Sequence, residues 1–220
     1  MSRAHRGLRR AATVAGLGAA ILIAAVAWAA DPRLAARLDP ATASEVQRWV
    51  VDTQGQGLPT EPLISKALEG AAKGATSERI VAAVRAQALA LGTARAALGD
   101  SSSEQEIVAG AGAILASVPR ESLTALRAVR PGPLVVPLVV LADLVTRNVP
   151  PSAAAQTVLT ASRARARDAE LLDLRRKIEQ DITAGAAPAD AAIARMRSFR
   201  GTGPAPKEPK RALRGAGGGP

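Results

Sequence analysis

The chain has 220 residues, a net charge of +10, one His, no Cys or Tyr, and an aromatic content of 1%. Setting aside residues 1–29 as a targeting segment also removes His5 and Trp28, so the remainder holds neither His nor Cys. That excludes Ser/His/Asp and Cys/His nucleophile systems, which need an imidazole to take the proton, and zinc or copper sites, which need thiolate or imidazole ligands.

The first ten residues carry Arg3, Arg6, Arg9 and Arg10 and no acid. Ala11 to Val26 is uncharged and apolar, and Ala27, Trp28 and Ala29 place small residues at the minus-three and minus-one positions of a cut. This is the three-part pattern of a secretory signal peptide. The uncharged run from Ala11 to Ala30 is also long enough to span a bilayer, so the alternative is an uncleaved anchor with its arginines held in the cytoplasm. Its strongly apolar stretch is confined to Ile21, Leu22 and Ile23, which favours cleavage. Either reading exports the rest of the chain, to the periplasm or medium, or tethered to the cytoplasmic membrane with the C-terminus outside. Arg9 and Arg10 are followed by AATVAG, which is not the context of twin-arginine export.

Residues 30–199 are expected to form one all-α domain, an irregular bundle or array of about seven to eight short helices joined by Gly/Pro corners. Residues 30–194 hold 18 bases and 18 acids, so the sequence pI of 11.3 comes from the two ends. A neutral body argues against an electropositive face that tracks nucleic acid. Helical period is explicit where Val46, Trp49 and Val50 fall at i, i+3 and i+4, and this spacing places Trp49 in the core. Leu63, Ile64, Ala67, Leu68 and Ala71 form a second stripe, and Leu171, Leu174, Ile178 and Ile182 a third. In residues 78–98 the face of Ile80, Val84, Ala88, Leu91 and Leu98 is interrupted by Gln87 and Arg95, so this helix is expected to pack along only part of its length. Residues 134–145 (LVVPLVVLADLV) hold the one β-branched run; Pro137 favours a buried helix starting near it, with a strand as the alternative.

Five segments share one grammar: GLPTEPL at 57, GATSERI at 74, SVPRESL at 117, NVPPSAA at 148 and GAAPADA at 185. A turn-forming residue stops a helix, an apolar residue tucks back, and a proline or capping residue opens the next helix. Their separations of 17, 43, 31 and 37 residues are too irregular for a strict solenoid. They fit either a degenerate hairpin array or the ordinary grammar of αα connections. The stretch GLPTEPLISKALEGAAKGATSERIVAAVRAQ at 57–87 resembles segments of uncharacterised exported Ala-rich helical proteins of GC-rich bacteria. The resemblance implies a helical, exported protein and assigns no activity.

GAAKGAT at 70–76 lacks the Walker spacing and reads as a helix end. AGAGA at 109–113 lacks a preceding strand and a third glycine, so its small residues are expected to let two helices approach closely. Glu104 with Glu106, and Glu170 with Asp173, are the carboxylate pairs that glycosidase chemistry would need, but they read as exposed helix starts where acids favour the dipole. RARARD at 163–168 and RRK at 175–177 read as a solvated helix with i, i+4 pairs Asp173–Lys177, Arg175–Glu179 and Lys177–Asp181. Arg163, Arg165 and Arg167, less well paired, are the body's candidate contacts for an anionic partner.

Residues 200–220 form a basic Gly/Pro-rich tail that cannot bury enough surface to order itself, with Lys207, Lys210, Arg211 and Arg214 as further candidate contacts. No catalytic, cofactor or metal residues are identified. The expectation is an exported, non-enzymatic helical protein that binds or scaffolds in the cell envelope, its partner an unidentified protein or anionic envelope component. The alternative is a binder of anionic polymer or membrane surface acting through the tail and the Arg163 to Lys177 face, with membrane contact also through residues 11–30 if they are uncleaved.

Overall fold

A computed structural model describes residues 31–200, with side chains to residue 197, and these residues fold into ten helices without a strand. The all-α expectation holds. The helices are α1 (Pro32–Ala35), α2 (Pro40–Gly55), α3 (Glu61–Ala72), α4 (Ser77–Leu98), α5 (Glu104–Leu115), α6 (Arg120–Val129), α7 (Val135–Thr146), α8 (Pro151–Arg163), α9 (Asp168–Thr183) and α10 (Pro188–Arg200). The expected count fell short because α1 is a four-residue turn and α8 and α9 are divided at a corner that composition disguises.

Six connections share one backbone geometry. Gly57, Gly74, Ser117, Asn148, Arg165 and Gly185 all adopt positive φ. In each, the following residue's N–H reaches back to the carbonyl five positions earlier, as in Leu58 to Thr53 and Val149 to Leu144, at 2.9–3.2 Å. The positive-φ residue's own N–H bonds the carbonyl three positions earlier at 2.8–3.0 Å. These are Schellman caps, which satisfy the last carbonyls of one helix and turn the chain towards the next. Leu58, Val118, Val149 and Ala166 then bury the apolar residue that follows the turn. Five of the six fall on the segments singled out in the sequence. The sixth, at Arg165, divides the long interval after Asn148 into steps of 17 and 20 residues.

The helices stack in two rows. In the first, α2, α4, α6, α8 and α10 each pack on the next even-numbered helix; in the second, α5 packs on α7 and α7 on α9, with α3 joined through α4. Contacts of α4 with α5, α7 with α8 and α9 with α10 hold the rows together. This is an array of helical hairpins rather than a closed bundle, with α1 covering one end against α2 and α3.

Most stripes bury as their spacing requires. Val46, Val50, Leu63, Ile64, Ala67, Leu171, Leu174 and Ile178 lie in the core. The run at 134–145 is helix, beginning at Val135, with Pro137 buried in its first turn where a missing N–H costs nothing. Two expectations need correction. α4 packs along its whole length, because α2, α3, α5 and α6 surround it and Gln87 is buried with its apolar neighbours. Trp49 is only partly buried and lines a groove. The close approach expected at 109–113 is present at one glycine: a Cβ on Gly110 would meet Ala94 Cβ at 3.0 Å and Leu98 Cδ1 at 3.1 Å, whereas one on Gly112 would meet nothing within 4 Å.

Candidate functional site

An open groove of about 730 Å³ runs between α2 and α4 on the first row. Its apolar wall is Trp49 from α2 and Val81, Ala82, Ala86 and Leu89 from α4. Leu89 is 57% exposed, the most exposed large apolar side chain among the described residues. Sequence reasoning missed this site because Trp49 has helical spacing with two core valines. The signal that could have found it is Leu89 followed by Gly92 and Thr93, an apolar residue on the polar side of α4.

Polar groups at the upper end of the groove come from two helix starts. Asp39 caps α2, accepting from the backbone N–H groups of Ala41 and Thr42 and from the hydroxyls of Thr42 at 2.6 Å and Ser77 at 3.0 Å. Those donors, the Thr42 hydroxyl foremost, hold its carboxyl down to about 2. Glu78 is lowered by its own backbone N–H in the first turn of α4 and by the Thr76 hydroxyl. Glu45 reaches Arg48 only at 4.0 Å. With Arg85 the one base lining the groove, its rim is net acidic at neutral pH.

A second polar cluster lies inside the array. Glu106 and Ser103 form a capping box at the start of α5, and Glu106 is buried rather than exposed as its position suggested. Its carboxylate accepts the Ser103 N–H at 2.9 Å and the N–H of fully buried Leu134 at 2.8 Å, while Arg127 Nη2 lies 2.9 Å away. Burial, the largest single influence, pushes the carboxyl up; the two backbone N–H groups and Arg127 together outweigh it and leave it below the usual range. One carboxylate therefore ties the start of α5 to α6 and to the entry of α7.

The cationic candidates of the body gather at the α8–α9 corner. Arg163, Arg165 and Arg167 are all exposed. Arg165 supplies the left-handed residue with φ 59°, and Arg167 is held by Glu170, which accepts its N–H at 2.7 Å. Arg130 braces the corner from below, donating to the Ala166 carbonyl at 2.7 Å and to Asp168. Arg163 and Arg165 make no ion pair among the described residues. Of the three pairs expected along α9, Asp173–Lys177 is present at 2.7 Å. The other two give way to bridges between helices: Arg175 with Asp143, Glu179 with Arg147, and Asp181 with Arg195. Lys207, Lys210, Arg211 and Arg214 lie outside the described residues.

Of the carboxylate pairs, Glu106 braces helices, Glu170 caps α9, and Asp173 binds Lys177 and Arg176. Among the described residues no group of three or more His, Asp or Glu side chains could hold a metal ion, and no helix is long and apolar enough to cross a membrane. No family model, curated protein or solved structure matches the chain.

Proposed function

We propose that this is an exported, non-enzymatic scaffold of the cell envelope that holds a protein partner in the groove between α2 and α4. The observation that carries the reading is the exposure of Leu89 beside Trp49 in an open channel, on a stacked-helix framework of the kind that presents extended binding surfaces. An apolar floor with charged residues at one end suits a peptide segment: apolar side chains supply attraction and the rim fixes direction. Export rests on the signal-like residues 1–29 and on the resemblance of residues 57–87 to exported Ala-rich proteins.

A photo-crosslinking residue at position 89 tests this in cells, with one at position 108 on α5 as control. Adducts to another protein are expected from position 89 alone; equal adducts from both positions, or none, would reject the groove. Intact mass and fractionation address the address label. A mass lacking residues 1–29 in a soluble extracytoplasmic fraction fits a free scaffold, and full-length protein in the membrane fraction fits a tethered one.

A second reading, attachment to an anionic polymer or membrane surface, draws on Arg163 and Arg165, which stand exposed without an acidic partner among the described residues. Converting Arg163, Arg165 and Arg167 to Gln should weaken binding to anionic vesicles and flatten its salt dependence without loss of helicity. Unchanged binding would discard it.

A further inference from the structure

Two surfaces of opposite charge stand apart on the array. The groove between α2 and α4 gathers Asp39, Glu45 and Glu78 at one end, with Arg85 as its one base and Trp49 and Leu89 on its wall. The α8–α9 corner gathers Arg163, Arg165 and Arg167, and neither Arg163 nor Arg165 has an acidic partner among the described residues. We infer that the groove takes the α8–α9 corner of a second copy of this chain, with Arg163 and Arg165 set against the acidic rim and their stems along Trp49 and Leu89. The inference rests on the groove reading above and names its partner.

Three observations support the assignment. The charges are complementary and largely unspent: Glu45 meets Arg48 only at 4.0 Å, Glu78 forms no ion pair among the described residues, and the corner's one local acid, Glu170, serves Arg167. The side chains suit the lining. A guanidinium hydrogen-bonds carboxylates in pairs and stacks on an indole face, while its apolar stem covers a neighbour such as Leu89; all three bases of the corner are arginines. Ala164 alone stands between Arg163 and Arg165, so no bulky side chain bars their approach. The corner cannot reach the groove of its own chain. α8 lies two first-row neighbours from α4, about 16–20 Å away at 8–10 Å per packed helix, and each of these helices is fixed against the next. Pairing between the two surfaces therefore runs between copies. Exposed pairs are individually weak and screened by salt, so the contact is a transient one, formed at about 0.1–1 mM chain and released as salt is added.

Sedimentation of the chain as isolated from cells tests this. At low salt its weight-average mass should rise about 1.5-fold between about 10 µM and 1 mM, by mass action, and stay constant at high salt. A corner-reversed chain, Arg163→Glu with Arg165→Glu, and a groove-reversed chain, Glu45→Lys with Glu78→Lys, should each lose that rise. An equimolar mixture of the two should regain it, because each chain then meets the opposite charge on the other; regained association also shows that both have folded, as should unchanged helical circular dichroism. Glu104→Lys with Glu121→Lys makes the same change in net charge at exposed acids outside the groove and should keep the rise. A parent chain that stays monomeric, a rise retained in either reversed chain, or an equal loss in the Glu104 and Glu121 control would overturn the inference. The photo-crosslinker at position 89 should yield an adduct of twice the chain mass, joined to residues 163–167 of the second copy. Adducts to a different protein from a chain that does not self-associate would overturn the inference and leave the groove reading standing; no adduct from position 89 to any chain would remove both.

Discussion

Neutralising Glu106 leaves the Arg127 guanidinium beside it with one of its few partners gone, in a place where water reaches neither side chain freely. Glu106→Gln keeps an oxygen for one of the two backbone N–H groups and gives up the charge, so it should lower the unfolding free energy by about 2–4 kcal/mol in urea titration. The same carboxyl sets a pH dependence. Its folded value lies below its unfolded one, so the unfolded chain binds the proton more readily; the stability it contributes is present above the unfolded value and is lost as pH falls through the folded one. Asp39 and Glu69, each held down to about 2, extend the decline to the acid end of the range. Thermal melts should therefore fall between about pH 4.5 and 2, with a shallower fall in Glu106→Gln; parallel curves would show that Glu106 titrates alike in both states. Sequence spacing puts Glu106 at an exposed helix start and misses this role, because Arg127 and Leu134 reach Glu106 only when α6 and α7 fold back over α5. Trp49 misleads for the converse reason. A helical wheel shows which side faces inwards and not how deeply a neighbouring helix covers its edge.

Two glycines two positions apart on α5 separate packing from propensity. Gly110→Ala places a Cβ 3.0 Å from the Cβ of Ala94 on α4, a contact with no flexible end to yield, and should cost about 1–3 kcal/mol. Gly112→Ala meets open space and should stabilise by about 0.5–1 kcal/mol through backbone entropy alone. Denaturant midpoints moving the same way for both would contradict the helix contact. At the corners, Ser117 and Arg165 hold left-handed geometry that favours glycine, so Ser117→Gly and Arg165→Gly should each raise stability by about 0.5–1 kcal/mol, and Asn148→Gly by less, since Asn tolerates that region. Equal gains at all three would show that backbone geometry does not decide them. Turn chemistry explains why five corners can be read from residue order: Gly, Asn or Ser followed by an apolar residue and a cap is a local signal. Arg165 escapes because its side chain belongs to a charged run and only its φ performs the turn. The cross-helix bridges of Arg175, Glu179 and Asp181 escape similarly, since sequence spacing supplies partners along a helix and not across to the next.

Each helix in the array touches chiefly its neighbours, so stability should vary along it as a sum of local terms. α4, surrounded by α2, α3, α5 and α6, should show the slowest amide hydrogen exchange, and the four-residue α1 the fastest. Uniform protection from end to end would instead indicate one cooperative unit. Composition predicts the all-helical class at this scale because Ala and Leu dominate and strand formers are few. It could not predict the order of stacking, which is fixed by which faces the corners bring together. The Glu106 brace joins three helices near the middle of the stack, whereas the flanking hairpins are linked by apolar contact and by ion pairs more exposed than Glu106 with Arg127. Pulled at its two ends, such a rod would lengthen first in its outer hairpins and last at its centre, yielding in steps while the span from α5 to α7 keeps its shape.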